Sequence, residues 1–277
     1  MARDSFDESF PDFESTLYPP THTQSRRVMR NTEGIRDVDT LQRLEYKLAG
    51  LVREEIASGR VPIARTYDLE HAKQLNKELF EHLYPNWAGK VRPFGMTKGD
   101  RSFAAPQQIP YYFAQASGTI GAVEWSTLSR DAFAVNMAIV YANINQAHPF
   151  REGNGRTGKM FLEHVAEQSP FELNYAAVSR EVWNQRSHLS GPDLGYLAVH
   201  PEELVPVFKA ITIERRAAES PAPQLSPELQ KLADLYKTHY SKPPGRGSGP
   251  GSGAAQISEY RPERDVPGAS QQNGYGR

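Results

Sequence analysis

His148-Pro149-Phe150-Arg151-Glu152-Gly153-Asn154-Gly155-Arg156-Thr157-Gly158-Lys159 is the stretch whose reading decides the fold. It sets an imidazole four residues before a carboxylate, places two glycines around an asparagine, and follows them with two cations. An apolar run, Met160-Phe161-Leu162, comes next and points to a helix that starts near Gly153–Asn154. Unpaired N–H groups and partial positive charge at such a helix start suit an anion, and glycines let the backbone come close to it. Arg156 and Lys159, three apart, share a helix face beside this nest and suit a polyphosphate. Glu152 would repel phosphate unless Mg²⁺ lay between them, a usual way of holding that ion on nucleotides. His148 ends the preceding helix and titrates in the range where it can take a proton from a hydroxyl at neutral pH. Phe150 reads as the residue that anchors the turn in the core.

Each residue alone has an ordinary explanation. A lone histidine is usually structural, a Gly-x-Gly is often a turn, and the charges could be solvated. The conjunction of seven identities in nine residues is what argues for chemistry.

Outward from this turn the periodicity is mostly helical. Asp39 or Thr40 could cap a helix carrying Leu41, Leu44, Leu48, Leu51, Val52 and Ile56. Asp68 could cap a second, Ser129 a third that runs into His148, and Ser179 a short one around Val182-Trp183. Leu204, Val207, Phe208 and Ile211 suggest another. Residues 91–113 alternate and carry turn signals, so they read as a short β-hairpin between helices. The expected fold is an all-α bundle with one hairpin. Its boundaries are an irregular, loosely held arm over 1–30, a body over 31–215, possible helices over 216–240, and a Gly/Pro-rich disordered tail over 241–277.

The 277 residues carry 32 basic and 33 acidic side chains, a net charge of -1, so nothing global argues for a nucleic-acid or membrane surface. Cysteine is absent, which excludes disulfides and thiolate zinc sites. No signal-peptide core or membrane-length apolar run is visible, and a cytoplasmic protein is the default expectation, with delivery to a host cell left open.

The stretch from His148 to Lys159 resembles the signature of the Fic family (Fic/DOC superfamily), His-x-Phe-x-(Asp/Glu)-Gly-Asn-Gly-Arg-x-x-(Arg/Lys). Trp87-Ala88-Gly89-x-Val91-Arg92 is similar to the family's segment ahead of its hairpin, and Thr97-Lys98-Gly99 with Phe103-Ala104 resembles its flap. The resemblance implies a protein adenylyltransferase with a Fic-type helical bundle and a hairpin flap, moving AMP from ATP to a Ser, Thr or Tyr hydroxyl of a target protein. By the same resemblance His148 is the general base and Glu152 the Mg²⁺ ligand. Gly153, Asn154 and Gly155 form the anion hole, and Arg156 and Lys159 contact the β- and γ-phosphates. Thr97, Lys98 and Gly99 belong to the flap that aligns the target. Lys159 stands where many members have Arg, which loses the bidentate fork. The family's inhibitory (Ser/Thr)-x-x-x-Glu-(Gly/Asn) helix has only a partial match, Thr66-x-x-x-Glu70 followed by His71. The expected partner is therefore a separate small antitoxin-like protein. A related enzyme moving a phosphate or another nucleotide moiety, and a non-catalytic interaction module, are the alternative readings.

Overall fold

The computed structural model describes residues 12–19 and 27–215. Seven helices carry the body: α1 (Val38–Ala57), α2 (Leu69–Phe80), α3 (Ile109–Ala122), α4 (Arg130–Ala147), α5 (Asn154–Ala166), α6 (Arg180–Leu189) and α7 (Val205–Ile211). Two antiparallel strand pairs complete it: β1 (Thr97–Lys98) with β2 (Arg101–Ser102), and β3 (Phe171–Leu173) with β4 (Thr212–Glu214). The expected possible helices at 216–240 and the tail at 241–277 lie outside the described residues.

Helix α4 is the centre of the core. Phe133, Ala134, Met137, Ala138, Val140 and Ala142 along it are fully buried. Small residues among these allow close packing, and α3, α7 and α5 all contact α4. Caps set the starts: Ser129 accepts from the Ala132 N–H, Asp68 from His71 and Ser179 from Val182. Helix α1 is capped two to three residues earlier than expected. Asp37, not Asp39 or Thr40, accepts from the Thr40 N–H at 2.8 Å, because the carboxylate must stand three residues before the N–H it satisfies.

The hairpin is shorter than its sequence suggests. Strands occupy only 97–98 and 101–102, and the chain turns helical from Pro106. Ile109-Pro110-Tyr111-Tyr112-Phe113 has the aromatic content of a strand, but Ile109, Tyr112, Phe113, Ala116 and Ile120 are buried at helical spacing. Packing against α4 thus overrides local β preference, and Pro110 sits in the first turn, where its missing N–H costs nothing. The pair β3–β4 joins residues too far apart in sequence for turn signals to announce.

Of the described residues of the arm expected to be loosely held, Thr16, Leu17 and Val28 are buried and Leu17 bridges to Met29, while Asp12, Phe13, Glu14 and Ser15 are exposed. No helix among the described residues is long and apolar enough to cross a membrane.

Candidate active site

The motif turn links the end of α4 to the start of α5. His148 closes α4 in the left-handed conformation (φ 39°, ψ 59°), with its N–H on the Ile144 carbonyl. Gly153 opens α5 with φ 80°. Between them Phe150 is buried, as the sequence suggests, and Asn154 clamps the loop. Its Oδ1 accepts from the Phe150 N–H at 2.9 Å and its Nδ2 donates to the Phe150 carbonyl at 2.7 Å. The asparagine side chain therefore shapes the turn that leads into α5. Asn76 of α2 braces the same turn, donating to the Glu152 carbonyl and the Thr157 hydroxyl.

His148, Glu152, Gly153, Asn154, Gly155, Arg156 and Lys159 all line one cavity of about 1180 Å³, together with Lys98 and Gly99 of the hairpin. Thr97 lies on the exposed hairpin but not on the cavity wall. The imidazole of His148 stacks on Phe103, centroids 3.6 Å apart and planes within 11°. Burial, the nearby Arg92 guanidinium and Lys98 push its pKa down to about 3, against a weaker pull from the Asn145 carbonyl. The ring is therefore neutral at pH 7, the form a base requires. An anionic ligand in the cavity would act in the opposite sense and raise the pKa of the ring.

Arg156 and Lys159 share the helix but not an environment. Arg156 donates to Glu45 of α1 at 2.8 Å and stands 3.8 Å from Glu152, its guanidinium over the Phe80 and Tyr46 rings. Its Nη1 is buried without a hydrogen-bond partner. Lys159 points its ammonium over the Tyr175 and Trp183 rings, 4.6 and 4.9 Å from their centroids, and desolvation there lowers its pKa. Arg151, the variable position of the motif, donates to Thr16 at 2.7 Å and lies over Phe13, so the arm holds the turn from outside.

Sequence reasoning missed Glu45, Tyr175 and Trp183. Nothing local marks them, since they reach the cavity from separate helices and loops. Glu45 also accepts from the Tyr84 hydroxyl, which fixes its carboxylate against Arg156. Thr66 and Glu70 have ordinary roles. The Thr66 hydroxyl donates to Asp68, the cap of α2, and Glu70 pairs with Lys73.

Glu152 is the only carboxylate of the turn. It accepts from the Gly153 N–H at 2.9 Å and keeps 41% of its side chain exposed in the cavity. Among the described residues no cluster of three or more His, Asp or Glu could cage a metal ion. A lone carboxylate beside an anion cradle fits Mg²⁺ that arrives with nucleotide phosphates, and does not fit a resident ion held by protein alone.

A profile of the Fic/DOC family matches residues 66–166. The protein adenylyltransferase VbhT of Bartonella schoenbuchensis is 32% identical over 161 residues, which cover 58% of this chain and 33% of that protein. The protein y4lH of Sinorhizobium fredii, named a probable protein adenylyltransferase, is 32% identical over 160 residues, covering 57% of this chain and 77% of the relative. Among solved structures, the BepC effector of Bartonella tribocorum with bound AMPPNP superposes with a TM-score of 0.58 at 22% identity, over 73% of this chain and 97% of that one. The likeness to BepC extends to the fold. The chain belongs to the Fic/DOC family. It spans a third of the length of the Bartonella schoenbuchensis relative and about three quarters of the Sinorhizobium one.

Proposed function

We propose that the chain is a protein adenylyltransferase, which transfers AMP from ATP to a Ser, Thr or Tyr hydroxyl of a target protein and releases pyrophosphate. The observation that carries this reading is the shared cavity. A neutral imidazole, the N-terminus of α5 and the cationic side chains of Arg156 and Lys159 line the same space. Names of the relatives support it.

In this reading the hydroxyl oxygen of the target attacks the α-phosphorus, and the bond to the bridging oxygen of the β-phosphate breaks. His148 accepts the hydroxyl proton. The N–H groups of Asn154 and Gly155 and the Arg156 guanidinium balance the charge that develops on the phosphate oxygens, and such preorganised donors supply most of the catalysis in transfers of this kind. Mg²⁺, when bound with ATP through Glu152, supplies further neutralisation of phosphate charge. The exposed hairpin at 97–102 is placed to pair with the main chain of the target, a form of strand addition. Phe103 holds the imidazole face so that the ring cannot rotate away.

The partner that restrains the enzyme is a separate small antitoxin-like protein in this reading, and the chain is the toxin of the pair. What supports it is that Thr66 and Glu70, the one internal match to an inhibitory motif, are spent on α2. Expression of the chain alone in bacteria tests this, and normal growth with abundant soluble protein would count against it.

The transfer itself is tested with α- and γ-labelled ATP and a cell lysate. Label from the α position on protein is expected, and label from the γ position alone would instead mark phosphoryl transfer. His148→Ala should keep nucleotide affinity while target labelling falls by about 10²- to 10⁴-fold, the usual contribution of a general base. Labelling that persists in this variant would remove His148 from the mechanism.

A further inference from the structure

Arg92 is outside the motif and does not line the cavity, yet it is fully buried. Among the described residues no carboxylate pairs with it. A buried cation of this kind is tolerated where hydrogen bonds take up most of its donors, and here four bonds serve the five N–H groups of the side chain. The carbonyls that take them come from three pieces of chain. Nε donates to the His148 carbonyl at 2.7 Å. Nη1 donates to the Phe94 carbonyl, on the entry to the hairpin. Nη2 donates to the Ala104 carbonyl at 2.6 Å, on the exit, and to the Ala147 carbonyl at 3.3 Å, in the last turn of α4. The Arg92 N–H donates to the Pro149 carbonyl at 2.8 Å. The cation also sits at the negative end of the α4 dipole.

We propose that Arg92 is a positioning residue that couples the hairpin to the base, because one rigid guanidinium holds both hairpin roots and the peptide of His148 at fixed separations. This rests on the reading of His148 as the base and of the hairpin as the element that presents the acceptor hydroxyl. Transfer needs the hydroxyl and the imidazole within hydrogen-bond reach of each other, so the hairpin and the α4 terminus must keep one relative placement. Two further contacts follow the same line. The Ala104 N–H donates to the Gln146 carbonyl at 2.9 Å, and Phe103, next to it, stacks on His148. A lysine carries the same charge but lacks the planar fork, and cannot reach both roots and His148 in fixed directions.

The test is Arg92→Lys in the full chain, read by amide exchange, by NMR of the histidine ring protons, by ATP affinity and by AMP transfer. Exchange at Phe103 and Ala104 is expected to accelerate at least tenfold while α5 keeps its protection. The His148 ring protons should lose the shift imposed by the stacked Phe103. ATP affinity should stay within threefold, and kcat for transfer to protein should fall tenfold or more. A folded variant that keeps the wild-type exchange and His148 signals overturns the proposal. So does one whose α5 loosens equally, since that is the mark of a general packing role. Should the variant fail to fold, the wild type still decides. The Phe103, Ala104 and His148 amides are expected to exchange as one unit, and hairpin-root amides opening more than tenfold faster than His148 would refute the coupling. None of the exchange or NMR readouts requires transferred AMP. A wild type that transfers nothing refutes the proposed reaction, while the exchange data judge Arg92 separately.

Discussion

The two glycines of Gly153-Asn154-Gly155 should fail for different reasons when replaced by alanine. Gly153 has φ 80°, and a Cβ there would overlap the edge of the Phe80 ring, 3.0 Å from Cδ2 and nearer still to the next two carbons. A left-handed alanine costs about 1–2 kcal/mol, and forcing a methyl into a packed core costs about 1–3 kcal/mol. Lower chain entropy in the unfolded state returns about 0.4–1 kcal/mol. Gly153→Ala should therefore lose about 1–5 kcal/mol of unfolding free energy, measured by urea titration. Much of this loss is steric. In a Phe80→Leu background the additional penalty of Gly153→Ala should shrink to the left-handed cost less the entropy gain, about 1 kcal/mol.

Gly155 lies within α5, and a Cβ there meets nothing within 4 Å. Gly155→Ala should leave stability unchanged or raise it by up to about 1 kcal/mol, since alanine favours a helix. Its cost should appear in ligand binding, because the added methyl occupies the space a phosphate needs to reach the α5 N–H groups. Fluorescent-ATP titration is the assay, with a loss of about tenfold or more expected. Two results would refute the reasoning. One is a Gly153→Ala protein within about 0.5 kcal/mol of wild type, the range of a neutral surface change. The other is a Gly155→Ala protein that binds ATP as wild type does.

Two further outcomes follow from buried charges. Glu45→Gln can keep hydrogen bonds to Tyr84 and Arg156 while removing a negative charge beside the cradle, so ATP should bind more tightly, on the order of three- to tenfold, in calorimetric titration. Weaker binding would show instead that the carboxylate serves mainly to aim Arg156. The second outcome concerns His71 and His164, buried with Nε2 to Nδ1 at 2.8 Å, whose pKa values burial pushes down to about 3 each. Their folded pKa is depressed, so the unfolded chain binds protons that the folded one refuses as pH falls below about 6.5. Stability should be full above that value and should fall by at least about 2 kcal/mol between pH 6.5 and 5, at about 1.4 kcal/mol per pH unit for each titrating ring. Urea midpoints across this range are the check. An equal slope in His71→Gln/His164→Gln would assign the acid sensitivity elsewhere.

The motif was legible because its chemistry is contiguous. His148, Glu152 and the glycines need only one turn and two helix ends to converge, and capping residues announce where those ends lie. Helices α2, α4 and α6 were readable from Asp68, Ser129 and Ser179 for the same reason. What escaped is what depends on distant partners. Glu45 reaches Arg156 across 111 positions, and its spacing on α1 reads only as the polar edge of an amphipathic helix. Tyr175 and Trp183 look like core aromatics until Lys159 is seen over them. Helix α3 was hidden by residues with β preference, whose burial against α4 decides otherwise. The packing of Phe80 on Gly153 could not be read either, although the glycine itself could.

The cavity brings seven Lys and Arg side chains against three carboxylates, in a chain whose net charge is -1. Basic character is thus concentrated by the fold and not by composition, and a polyanion fits it. These cations are not equivalent, however. Arg151 is committed to Thr16 and Phe13. Lys159 is held over two rings, and Arg156 is half-committed to Glu45. Within the turn itself, the donors without a protein acceptor on the cavity side are the first N–H groups of α5, which the helix fixes in direction before any ligand binds. In the proposed reading, recognition of phosphate rests on a few oriented backbone dipoles, which need no rearrangement as charge moves between oxygens. Bulk positive charge serves to draw the anion in. Orientation, set by Asn154 within the turn and by Asn76, Phe80 and Glu45 from outside it, is what makes the turn suited to transfer as well as to binding.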